Sequence, residues 1–284
     1  MTALNSLSSN LSENKPTTDD STLDGLTTAH FKFIVSYDGT RYQGFQRQAP
    51  GVLTVQDELE KALRRLGWKE KTIHGAGRTD SGVSALAQTV SARLNWNHSL
   101  PSLVTAFNAQ LPTDIAVQSV ERVRNDFNPR RDAVSRSYRY QVVVHSIRQP
   151  LAERMAWRTY KSLDKARLLE AERRFLGTHD FAAFGSAPEK GGNTVRIVYR
   201  SHWTQVGPDA YQYDVEANGF LYRMVRRMVY LQVLNAQGLL EDNALENGIE
   251  NQVQLKAGLA PSAGLTLIGV TYPRWITEAD ETEN

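Results

Sequence analysis

The first clear pattern is an alternation. In Phe31-Lys32-Phe33-Ile34-Val35-Ser36-Tyr37 apolar and polar side chains take turns on the two faces of an extended segment rich in β-formers. A strand is expected there, ended by the turn signal Asp38-Gly39-Thr40. From Thr54 the period changes. Val55, Leu59, Ala62 and Leu63 recur on one face of a helix, with Lys61, Arg64 and Arg65 towards its C-terminal end. Lys69 to Gly75 reads as a weak second strand, Ala87 to Leu94 as a third, Ser102 to Gln110 as a short helix and Ile115 to Val123 as a fourth strand.

The second half repeats that order without repeating the residues. A strand is expected over Arg136 to His145, a helix over Leu163 to Leu176, and strands over Thr194 to Gln205 and Tyr211 to Ala217. A long helix from Phe220 to about Ala236 and a last strand from Leu265 to Tyr272 complete it. Each half runs βαββαβ, the ferredoxin-like split unit. The expected fold is therefore α+β, two such units over residues 29–128 and 129–275 with a central cleft between their sheets. Residues 1–28 are rich in Ser, Thr, Asn and Asp and poor in aromatics, which predicts a disordered extension, and 276–284 form an acidic tail.

Composition narrows the chemistry. No apolar run is long enough to span a membrane and no basic-then-apolar leader is present, so a cytoplasmic protein is expected. With no cysteine, disulfides, thiolate catalysis and cysteine-ligated metals are excluded, and six scattered histidines show no ligand spacing, so no metal site is expected. The formal charge of +2 is unevenly spread: residues 1–30 carry −3 and the tail −4, leaving +9 from Phe31 to Trp275, mostly as arginine. Guanidinium groups suit phosphates and base faces, so a polyanion is the natural partner.

One loop stands out, His74-Gly75-Ala76-Gly77-Arg78-Thr79-Asp80-Ser81-Gly82-Val83. Its glycines let the backbone approach a ligand closely, and an arginine and a carboxylate lie two apart between them. It is not a dinucleotide fingerprint, which needs glycine where Asp80 stands, nor a P-loop, which needs Gly-Lys-Ser/Thr. Alone it reads rather as a turn bearing a solvated Arg78–Asp80 salt bridge, and only its context reverses that reading. The Asp38-Gly39-Thr40 turn is similar to that of haloacid-dehalogenase-like phosphatases, but their nucleophilic aspartate would fall on Ser36. His179-Asp180 is read as a turn, since adjacent residues seldom face each other as a dyad.

Together these pieces resemble the tRNA pseudouridine synthase A family. The resemblance rests on Tyr37 to Gln48, on Ala76-Gly77-Arg78-Thr79-Asp80-Ser81-Gly82-Val83, on Phe127 and Arg130 leading to Ser135-Arg136-Ser137-Tyr138-Arg139-Tyr140, and on Gly177 to Phe181. Phe220-Leu221-Tyr222-Arg223-Met224-Val225-Arg226 and Ala260 to Leu267 complete it. Three positions depart from the pattern: Phe45 stands where tryptophan is common, Gly75 where cysteine is, and Ser84 where histidine is.

The resemblance implies isomerisation of uridine to pseudouridine on the 3′ side of the tRNA anticodon stem-loop, without a cofactor, by a homodimer. Asp80 would be the nucleophile or assist departure of the uracil, with Arg78 and Arg226 holding its charge. Tyr138 would stack on the base and take the proton lost from C5, while Tyr140, two residues on, is read as core. Arg136, Arg223, Arg226 and, further out, Arg227 would hold the RNA. The alternative is a non-catalytic RNA-binding protein of the same fold, which would have no use for Asp80 between glycines.

Overall fold

The computed structural model describes residues 28–276 apart from Pro188, Lys190, Asp242 and Gln254. Of the expected N-terminal extension, residues 1–27 lie outside the described residues, as do 277–284 of the expected acidic tail; Thr28 opens the first strand and Ile276 is buried.

β1 (Thr28–Tyr37) buries Phe31, Phe33, Val35 and Tyr37, the alternation read in the sequence. α1 (Val55–Arg65) starts at Thr54, whose hydroxyl accepts from the Asp57 amide, and buries the stripe Val55, Leu59, Ala62 and Leu63. β2 (His74–Gly75), β3 (Ser84–Asn95), α2 (Leu100–Asn108) and β4 (Ile115–Arg122) complete the first half. The second half holds β5 (Ser135–Val144), β6 (Trp157–Thr159), α3 (Lys165–Arg174), β7 (Gly177–Asp180), β8 (Val195–Gly207) and β9 (Ala210–Ala217). α4 (Met224–Ala236), α5 (Ala244–Glu250) and β10 (Leu265–Thr271) follow.

All strands join one ten-stranded sheet in the order β4-β1-β3-β10-β5-β9-β8-β7, with β2 beside β3 and β6 beside β5. The cleft expected between two sheets is therefore a cleft on one face of a continuous sheet. The reason is an unused edge. β2 covers β3 only at Ser91 and Val90, and the exposed start of β3 pairs in parallel with β10 through Thr266↔Ser84 and Leu267↔Ala85. β10 then pairs antiparallel with β5, Leu267 opposite Tyr138.

β2 is shorter than the strand read over Lys69 to Gly75 because side chains take the place of a partner strand. Glu60 accepts from the Ile73 amide at 3.2 Å, and the Gln56 amide donates to the Thr72 hydroxyl at 2.8 Å. α4 begins at Met224 rather than Phe220, since Arg223 is left-handed (φ 62°) and ends the extended Phe220–Tyr222 segment. His179 and Asp180 lie in β7, paired with Arg196 and Val195, rather than in a turn.

Candidate active site

The Gly-rich loop is held from behind by the first half of the chain. The Ala76 amide donates to the Thr89 carbonyl at 2.9 Å, and the Phe45 amide to the Thr79 carbonyl at 3.1 Å. Below it, the buried Tyr37 hydroxyl meets the Thr79 hydroxyl at 2.9 Å, and the buried Gln88 amide donates to the Gly77 carbonyl at 2.9 Å. Gly39 presses against the loop's far end. A Cβ there would lie 2.0 Å from the Val83 carbonyl oxygen, so no other residue fits. Tyr37 and Gly39 thus serve as the bed on which Asp80 is carried.

The second half supplies the partner. Arg226, in the first turn of α4, donates from Nη1 to Oδ2 of Asp80 at 2.9 Å and from Nε to the Ala260 carbonyl at 2.8 Å. The guanidinium is therefore fixed on one side by backbone and offers its other side to the carboxylate, which is 23% exposed against 14% for the arginine. Arg78 does not share this role. It is exposed, and among the described residues it forms no ion pair with Asp80.

Tyr138 lies on β5 with its ring nearly buried, held edge-on by Phe220 at 5.2 Å and 87°. Burial pushes its phenol up to about 12; the nearby Arg136 charge opposes this and Asp80 adds to it. The hydroxyl stays protonated at neutral pH. Tyr140 is core, as expected, its hydroxyl donating to the Pro261 carbonyl at 2.7 Å.

The remaining arginines divide. Arg136 donates to the carbonyls of Ala76, Arg130, Ala133 and Asn218, so it ties three segments of the cleft wall together and has little left for a substrate. Arg227 is spent in the same way on the carbonyls of Leu255, Lys256 and Gly258, which leaves it no part in the phosphate contacts expected of it. Arg223 is exposed and faces the cleft.

The cleft has a volume of about 1190 Å³. Among the described residues lining it, Asp80 is the one carboxylate, set against Arg78, Arg130, Arg136, Arg196, Arg223 and Arg226. Arg196, Phe220 and the backing pair Tyr37 and Gln88 were not singled out from sequence. Phe220 and Tyr37 stand inside the recognised blocks, the signal that could have marked them. Arg196 and Gln88 sit in ordinary strands with none.

The chain is an α+β protein whose single sheet carries, among the described residues, one carboxylate in an arginine-lined cleft, and its fold is that of the pseudouridine synthases. The family model described as tRNA pseudouridine synthase matches residues 33–130 and 171–273, which include Asp80 and Arg226, with Tyr138 between the two segments. A tRNA pseudouridine synthase A of Methylobacterium sp. (strain 4-46) is 37% identical over 245 residues, 86% of this chain and 97% of that protein. Those of Geobacter sp. (strain M21) and Thermoanaerobacter sp. (strain X514) are 37% and 33% identical, covering 86% and 84% of this chain and 99% and 98% of theirs. The chain belongs to the tRNA pseudouridine synthase family, isomerases that convert uridine to pseudouridine.

Proposed function

We propose that this protein isomerises uridines on the 3′ side of the tRNA anticodon stem-loop, that Asp80 is its catalytic carboxylate, and that it works as a cytoplasmic homodimer. The observation that carries the assignment of Asp80 is its bond to Arg226. A carboxylate at the bottom of a cationic cleft is a liability for a protein that only grips phosphate, yet here a guanidinium anchored on Ala260 holds it in place. One oxygen, Oδ2, accepts from Arg226, while Oδ1 has no hydrogen bond among the described residues and is left for the substrate.

The reaction breaks the N1–C1′ bond, turns the uracil and joins C5 to C1′; the proton on C5 leaves and N1 gains one, so atoms balance without an oxidant or reductant. Asp80 supplies the anion that assists departure of the base. Tyr138 walls the base pocket, and its neutral phenol, which both accepts and donates hydrogen bonds, passes on the C5 proton directly or through water. Arg78, Arg130 and Arg223 face the cleft where phosphates of an extruded nucleotide would run, and Arg136 keeps the wall in shape.

The test is Asp80→Asn, which keeps size and hydrogen-bonding capacity while removing the charge. Tritium release from C5-labelled uridine in tRNA should fall by orders of magnitude, while filter binding of the same tRNA is retained. Substantial release by the variant would remove Asp80 from the mechanism. Parent protein that binds tRNA but releases nothing would favour the RNA-binding alternative.

A further inference from the structure

We infer that Tyr222, with Arg223, forms a stacking platform at the mouth of the cleft for an unpaired nucleobase next to the target uridine; this rests on the proposed reading of the cleft as the site where a nucleotide is extruded. Tyr222 is 55% exposed, an unusual place for a large aromatic in a segment whose neighbours Leu221 and Met224 are buried. It lines the same cleft as Tyr138 and Phe220.

Its position is fixed by backbone. The Tyr222 amide donates to the Ser186 carbonyl at 2.9 Å in an isolated antiparallel bridge. Gly185 packs against that bridge so closely that a Cβ would lie 2.8 Å from the Leu221 Cβ and 2.9 Å from the Tyr222 carbonyl oxygen. Arg223 is then forced left-handed, a conformation that an arginine adopts at a cost and that no side-chain cap offsets. The outcome is that the Arg223 guanidinium lies over the Tyr222 ring, 4.7 Å from its centroid.

An exposed ring that lines the cleft and carries a cation over one face is the arrangement on which single-stranded bases stack, and every base has a π-face to offer. When a uridine is turned into the pocket over Tyr138, its neighbour loses a stacking partner. Tyr222 replaces it. The chemical class recognised is an unpaired base of an RNA strand, without sequence preference.

The experiment measures affinity of the full-length protein for hairpin RNAs of an anticodon arm, each carrying one abasic residue at a position flanking the target uridine. At one position the parent protein should lose about fivefold to about 150-fold in affinity, the range for removing one base–aromatic stack. Tyr222→Ala should lose the same factor on intact RNA and nothing further on that abasic RNA, whereas Tyr222→Phe, which keeps the ring, restores the parent affinity. Equal penalties for Tyr222→Ala on intact and all abasic RNAs would overturn the inference, because the ring would then act only by orienting Arg223. So would no penalty at any abasic position in the parent protein, a result that needs no variant to fold. Because affinity is read separately from conversion, failure of the RNA to react would count against Asp80 and leave this outcome standing on its own.

Discussion

Replacing Arg226 by lysine isolates geometry from charge. The guanidinium makes two bonds at once, Nε to the Ala260 carbonyl at 2.8 Å and Nη1 to Asp80 at 2.9 Å. An ammonium is a single point on a flexible stem and cannot span both acceptors. The cleft keeps its charge, so attraction for RNA should hold. The loss of one charge-assisted bond, about 1.5–3 kcal/mol, falls on the placement of Asp80. If that placement is needed only as the glycosidic bond breaks, the rate falls by about 10- to 150-fold at saturating tRNA. The lost Ala260 contact removes about 1 kcal/mol of stability, a melting shift of about 2–4 °C. Single-turnover tritium release, filter binding and a thermal melt on one preparation read the three quantities. A parent-like rate in Arg226→Lys would show that the arginine serves charge alone, and a loss confined to affinity would show that its geometry serves binding and not the chemical step; either would refute the reasoning.

Tyr37→Phe removes the hydroxyl that meets Thr79 in a buried site, so stability should fall by about 1 kcal/mol and turnover should drop with it, checked by urea melts and tritium release. Gly75→Cys should destabilise by about 1–3 kcal/mol through overpacking, because a Cβ would lie 2.7 Å from Phe45 Cε1; Phe45→Leu in the same chain should recover part of it in a double-mutant cycle. The Tyr138 phenol, raised to about 12 from an ordinary value near 10, binds its proton more tightly folded than unfolded. Its contribution to stability is thus whole below pH 10 and lost between about pH 10 and 12, and in that window Tyr138→Phe should melt with a weaker pH dependence than the parent protein.

The two departures from the family pattern at Phe45 and Gly75 touch each other, a relation invisible in the sequence because they are thirty positions apart in number and belong to different blocks. In this chain the Phe45 ring lies against Gly75, with its Cε1 2.7 Å from where a Cβ at 75 would stand. At Ser84, the hydroxyl accepts from the Gly39 amide at 3.0 Å, so the small residue serves the bed under the loop.

What the sequence determined by itself was the set of elements with strong periods and some of the residues of the cleft. β1 and α1 follow from local alternation and a helical stripe, because burial of one face needs no knowledge of the partner. Asp80, Tyr138 and Arg226 were marked by the blocks around them. Tertiary structure decided which of these meet. The Arg78–Asp80 spacing suggested a pair, but Arg78 is exposed and the partner of Asp80 is Arg226, 146 residues away, brought there by the packing of α4 against the loop. The same applies to Arg136 and Arg227, whose charge was legible but whose donors are taken up by carbonyls of distant segments. Whether the two split units keep separate sheets or share one was likewise settled at a single edge, where the short β2 leaves the start of β3 uncovered and β10 closes the gap. Periodicity reports which face of a strand is buried; it carries no information about which strand lies beside it, since backbone hydrogen bonds are the same for every residue.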